Sequence, residues 1–99
     1  MTEVRWTEQA ADDLAAILEF IRRDSPAYAH VVAGRLYGAV GQLSNFPDSG
    51  RVVPERTQPT LRELIRPPYR VVYRRSAELV EILTIYHSAR LLPESIRDG

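Results

Sequence analysis

Arginine is the side chain in this sequence best equipped for recognition chemistry, and it is concentrated in one stretch. Residues 51–75 hold seven arginines, Arg51, Arg56, Arg62, Arg66, Arg70, Arg74 and Arg75, against only Glu55 and Glu63. A guanidinium presents five N–H donors in a planar fork that matches phosphate or carboxylate oxygens, so such a cluster suits an anionic partner. Tyr69, Tyr73 and Tyr86 would add faces on which bases can stack. Side chains alternate along a strand, so Arg62, Leu64 and Arg66 share one face of their run, and Arg70, Val72 and Arg74 share one face of the next. Joined at Pro67 and Pro68, the two faces are expected to align into one basic surface. The bland alternative is a solvated sheet whose arginines pair with Glu55, Glu63, Glu78 or Glu81. Composition alone favours that alternative, because a local excess of positive charge suggests a partner without specifying one.

His87 follows directly on an apolar run, and Arg90 comes three residues later. A histidine at a strand end is poised to give or take a proton near neutral pH. A lone histidine is nevertheless more often structural, and His30, with no partner in the pattern, reads as surface. Other chemistries lack their parts. No glycine-rich phosphate loop follows a strand. The two histidines are far apart and without acids at ligand spacing, so no metal site is expected. Ser25, Ser44, Ser49, Ser76, Ser88 and Ser95 lack a nucleophile-elbow context, and with no cysteine there are neither disulfides nor thiol nucleophiles.

The elements that must position these side chains follow from periodicity. "EVRW" at 3–6 is strand-like, and Thr7 can cap a helix beginning at Glu8, in which Leu14, Ile17, Leu18 and Ile21 recur at helical spacing. Ser25 and Pro26 restart a helix with an apolar stripe of Ala29, Val32, Ala33, Leu36, Val40 and Leu43. The short connection makes the pair an antiparallel hairpin. Gly34, Gly38 and Gly41 each cost that helix roughly 1 kcal/mol relative to alanine, which predicts close approach of another backbone, most simply by internal packing. "NFPDSGR" ends the helix at Pro47 and Gly50, and residues 51–61 read as an ordered loop. "LRELIR", "YRVVYRR" and "LVEILTIYH" then form an antiparallel meander, the last as a central strand covered on both faces. The fold class is α+β: an N-terminal strand and a helical hairpin packed on a mostly antiparallel sheet, β-α-α-β-β-β.

At 99 residues, 44% hydrophobic and 26% charged, the sequence fits a single globular domain over 1–99 rather than a disordered chain. Its zero net charge conceals an acidic first half and a basic middle. The start "MTEVRWTEQAADDL" lacks the basic and apolar regions of a signal peptide, and no apolar run reaches the roughly 18 residues of a membrane span. A soluble cytoplasmic protein is expected.

In this order, "AADDLAAILEFI", "LSNFPDSGR", "RELIRPPYRVVYR" and "VEILTIYHSAR" resemble the ParE/RelE superfamily of toxins from type II toxin–antitoxin modules, the plasmid stabilisation proteins. The resemblance runs from about residue 4 to residue 91 and implies the RelE/ParE-like fold already read from the pattern. It also implies a cognate antitoxin, a toxin–antitoxin hetero-oligomer, no cofactor and no membrane. RelE-like members are metal-independent mRNA interferases that cut messenger RNA on the translating ribosome, whereas ParE-like members inhibit DNA gyrase. By resemblance, Arg70 and Arg90 fall where RelE-like enzymes keep functional arginines, with Arg62 near a further basic position. The lysines common there are missing. Where those enzymes carry a tyrosine general base, "RLLPESIRDG" offers Ile96 and no aromatic residue, which leaves His87 as the substitute. This incomplete set turns the expectation toward a ParE-like gyrase inhibitor. The runner-up is a ribosome-dependent endoribonuclease using Arg70, His87 and Arg90, and the third reading is a degenerate toxin that only binds its antitoxin. In each reading Arg51, Arg62, Arg66, Arg70, Arg74 and Arg90 are the target-contacting candidates.

Overall fold

The computed structural model describes residues 1–56, 58–90, 92 and 96. Its elements are β1 (Glu3–Trp6), α1 (Glu8–Asp24), α2 (Pro26–Gln42), β2 (Arg51–Val52), β3 (Leu61–Arg66), β4 (Tyr69–Arg75) and β5 (Leu79–His87). The strands form one sheet in the order β1-β5-β4-β3-β2, with β1 parallel to β5 and every other pair antiparallel. This is the α+β arrangement expected from the sequence, with β5 in the interior of the sheet.

Local chemistry explains the helix boundaries. The Thr7 hydroxyl accepts the Ala10 N–H at 3.2 Å and donates to the Ile82 carbonyl at 2.6 Å. One side chain thus starts α1 and ties the β1–α1 corner to β5. Ser25 serves both helices: its N–H closes α1 on the Ile21 carbonyl at 2.9 Å, while its hydroxyl accepts from the Tyr28 N–H at 3.1 Å to open α2. A single residue between helices leaves them little choice but to fold back on each other.

The helical face of the sheet carries the main core. Ala10 and Leu14 of α1 and Val32, Leu36, Ala39 and Val40 of α2 pack on Leu64, Val71, Tyr73, Val80, Ile82 and Ile85. A smaller cluster on the opposite face joins Val53, Leu61, Val72, Leu83, Tyr86, Leu92 and Ile96. The long apolar run of β5 feeds both, which is why it shows no alternation.

The elements and their packing depart from the sequence-based expectations in three places. The stretch read as loop contains β2, which pairs Arg51 with Glu63 and Val52 with Arg62; two residues are too few for a periodic signal. Helix α2 ends at Gln42, several residues before Pro47. Gly34, Gly38 and Gly41 do not meet another backbone, since an added Cβ on any of them finds nothing within 4 Å. Gly34 and Gly38 follow the buried Val32 and Leu36 by two residues, and all three glycines are exposed, away from the buried stripe of the helix. The glycine that does need its missing side chain is Gly50, where a Cβ would lie 2.6 Å from the Glu63 carbonyl oxygen and 2.7 Å from the Tyr73 hydroxyl. There the Gly50 N–H donates to the Tyr73 hydroxyl at 3.0 Å, and that hydroxyl donates to the Pro47 carbonyl at 2.8 Å.

Candidate functional site: an ion network and a histidine groove on opposite faces

The register of β3 against β4 decides where the arginines point. Arg66 pairs with Tyr69, Ile65 with Arg70, Arg62 with Tyr73 and Leu61 with Arg74. With two residues between the strands, even positions of β3 face odd positions of β4, and directly opposed residues share a face of the sheet. Arg62 and Arg66 therefore lie on the helical side beside Tyr73 and Tyr69, whereas Arg70 and Arg74 lie on the other side. The single basic surface expected from the sequence is not formed.

On the face away from the helices, Arg70 is the centre of an ion network. Its Nε donates to Glu63 Oε1 at 2.8 Å, and its Nη2 makes a short contact with the same oxygen. Its Nη1 and Nη2 also donate to the two carboxylate oxygens of Glu55, at 3.3 and 3.1 Å. The other oxygen of Glu63 accepts from Arg51 Nε at 2.6 Å. The Glu63 side chain is 0% exposed. A carboxylate that deeply buried is tolerable only when paired, and two guanidiniums bracket this one. Burial pulls the Arg70 pKa down, but its hydrogen bonds to Glu55 and Glu63 outweigh that and leave it raised. For Glu55 burial acts upward, yet the Arg70 hydrogen bond and charge hold the carboxyl below its usual range. The Arg70 guanidinium also stands over the Tyr86 ring, 5.4 Å from its centroid. Burial pushes the Tyr86 phenol up, against the opposing charge of Arg70.

The remaining candidates are spread over both faces of the sheet. Arg62 braces the loop before β2, donating to the Gly50 carbonyl at 2.7 Å and the Asp48 carbonyl at 3.3 Å. Arg66 donates to the Ile65 carbonyl at 2.9 Å. Arg74 stands opposite Leu61 on β3 and Glu81 on β5. Ile96, at the position where a tyrosine was sought, is buried in the smaller cluster, and Arg56 donates to its carbonyl at 3.4 Å. The rest of the tail sequence after Leu92 lies outside the described residues.

His87 and Arg90 do come together. His87 pairs with Tyr69 across β4–β5, with the rings edge-on at 5.9 Å, and the Arg90 N–H donates to the His87 carbonyl at 3.0 Å. The His87 Nδ1 accepts the Ala89 N–H at 3.1 Å. Both residues line a groove of about 480 Å³ between α1 and the ends of β4 and β5, together with Asp13, Phe20 and Tyr69. Arg70 is not part of it. Its cross-strand partner is Tyr86, so His87, one residue further along β5, points to the other face. Sequence reasoning did not find Asp13 and Phe20, because they enter the groove from a distant helix. Glu63 carried a signal: within "LRELIR" it shares a strand face with the apolar Leu61 and Ile65. Among the described residues no three histidine, aspartate or glutamate side chains converge as a metal ion would need, and no helix is long and apolar enough to cross a membrane.

Comparison with known proteins agrees with this fold. Residues 4–92 match the family described as the ParE toxin of the type II toxin–antitoxin system parDE. The chain is 41% identical over 92 residues to toxin RelE2 of Caulobacter vibrioides, covering 92% of this chain and 100% of that protein. It is similar to a chain of the chromosomal ParDE toxin–antitoxin system of P. aeruginosa, with TM-score 0.70 and 27% identity over 88% of this chain and 96% of that one. A chain of the RelBE2 toxin–antitoxin complex of Mycobacterium tuberculosis is also similar, with TM-score 0.57 and 26% identity over 87% of this chain and 96% of that one.

Proposed function

Since this chain belongs to the ParE/RelE superfamily of type II toxin–antitoxin toxins, we propose that it arrests bacterial growth by inhibiting DNA gyrase, as ParE-like members do, and that a cognate antitoxin silences it. The observation that carries this reading is the separation of Arg70 from His87 by the thickness of the sheet. Cleaving RNA at a 2′-hydroxyl needs a proton acceptor within hydrogen-bond reach of that hydroxyl and cationic donors on the same phosphate. Here the histidine looks into the α1 groove, while the arginine is committed to two carboxylates on the other face. Such an arrangement suits a protein that binds and blocks better than one that cuts. The higher TM-score to the ParDE chain, 0.70 against 0.57 for RelBE2, points the same way.

A ribosome-dependent ribonuclease is the second reading, favoured by 41% identity to a protein named RelE2 and by the meeting of His87 and Arg90 in one groove. In that reading His87 is the proton carrier and Arg90 the phosphate contact. In either case the chain acts as one toxin domain in the cytoplasm without a cofactor. The antitoxin partner is supported by the two solved neighbours, which come from toxin–antitoxin assemblies. Purified chain assayed for inhibition of gyrase supercoiling, alongside primer extension on an abundant transcript after brief induction, tests the choice. Inhibited supercoiling without codon-phased cuts upholds the gyrase reading. Translation-dependent cuts replace it with the ribonuclease, and neither effect leaves an antitoxin-binding module.

A further inference from the structure

Arg70 has two carboxylate partners of very different character. Glu63 is a strand residue with a fully buried side chain, held on its other oxygen by Arg51. Glu55 comes from the segment between β2 and β3, its side chain is 29% exposed, and its carboxylate accepts from both Nη1 and Nη2. Besides Arg70, backbone groups of its own residue and of Leu92 favour its charged form. Beneath the guanidinium lies a second donor with nothing to do. Tyr86 is 7% exposed, and its hydroxyl has no hydrogen-bond partner among the described residues. A buried hydroxyl left unpaired costs free energy, so a site that leaves one idle is incomplete as it stands.

We propose that Glu55 is an autoinhibitory cap on Arg70, occupying the place where a phosphodiester group of nucleic acid binds once the carboxylate swings aside. Glu63 stays in place and keeps the guanidinium oriented. The departing carboxylate frees two N–H donors, and Arg51, with a side chain 59% exposed, stands on the other oxygen of Glu63. A phosphodiester fits better than a second carboxylate. A carboxylate would repeat the two contacts that Glu55 already makes, whereas a tetrahedral phosphate has a further oxygen to offer the Tyr86 hydroxyl. The site binds without cutting, because His87 faces the other side of the sheet. The inference does not depend on whether gyrase or the ribosome is the target.

Glu55→Gln in the full chain tests it, with fluorescence anisotropy of short labelled oligothymidylate and oligouridylate and with inorganic phosphate as competitor. Removing the cap's charge is expected to tighten oligonucleotide binding about tenfold over the wild type, and adding Tyr86→Phe is expected to return most of that gain. The two oligonucleotides separate a DNA source of the phosphodiester from an RNA source. Asp48→Asn changes the net charge equally and lies outside the cap, so it is expected to leave binding near wild type. Thermal melts establish that each variant is folded; should Glu55→Gln not fold, Glu55→Asp, which keeps the charge but shortens the reach, is expected to give a smaller gain. Binding by the uncapped variant no tighter than wild type, an equal gain from Asp48→Asn, or a gain untouched by Tyr86→Phe overturns the proposal.

Discussion

Arg70→Ala is expected to damage the fold before it damages any function. The substitution removes both contacts to Glu63 Oε1 and both to Glu55, and it strands a carboxylate whose side chain is 0% exposed. Breaking a buried pair from one side costs about 3–5 kcal/mol. Arg51 still holds the second oxygen of Glu63, so the lower end, about 3 kcal/mol, is the working value. Set against a total stability of about 5–15 kcal/mol, that is a large fraction, and in a domain of this size it lowers the melting temperature by roughly 12–24 °C. Urea denaturation followed by circular dichroism measures it directly. The double variant Glu63→Leu/Arg70→Met, which removes both charges together, is expected to recover much of the loss, because an apolar replacement leaves no buried ion behind. An unfolding free energy for Arg70→Ala within about 1 kcal/mol of the wild type would contradict a structural role for the pair. If growth arrest were then also lost, Arg70 would be a contact residue and not a structural one.

The glycines separate two kinds of position. Gly50→Ala drives a Cβ to 2.6 Å from a backbone carbonyl and is expected to destabilise by about 1–3 kcal/mol, whereas Gly38→Ala meets nothing within 4 Å and is expected to stabilise by up to about 1 kcal/mol in the same melts. Glu55 predicts an acid dependence. Its folded pKa lies below the ordinary 4.5, so its contribution is complete above pH 4.5 and is lost as pH falls through the folded value. The difference in melting temperature between wild type and Glu55→Gln is therefore expected to be constant from pH 7 to 5 and to shrink below 4.5; a difference that grows on acidification contradicts the assignment. His87→Ala, at an exposed position, is expected to leave both the fold and gyrase inhibition intact. Loss of codon-phased RNA cuts in that variant would instead promote the ribonuclease reading.

Most of the architecture could be read from local patterns because local rules govern it. Thr7, Ser25 and Pro26 mark helix starts through hydrogen bonds made within a few residues, and those bonds are present at 3.2 and 3.1 Å for the two caps. The burial of Leu14, Val32, Leu36, Val40 and Leu43 follows from helical spacing, and the length of the apolar run at 79–86 announces an interior strand. The ordered segments shared with the toxin superfamily were equally visible, since family resemblance is a property of the sequence. The two-residue β2 gave no such signal, as pairing and not periodicity makes it a strand.

The site was a different matter. Alternation states which arginines of one strand share a face, but not which face of the neighbouring strand joins them. That depends on cross-strand register, and a shift of one residue turns every side chain over. The observed register sends Arg62 and Arg66 toward the helices and Arg70 and Arg74 away from them. The same pairing brings Glu63 and Glu55 to Arg70 from separate segments and leaves His87 on the far side with Asp13 and Phe20 of α1. The sequence alone thus determined the elements other than β2, their order and the family, through interactions that span a few residues. Tertiary structure alone decided which charges meet, because that choice rests on contacts between positions far apart in the chain.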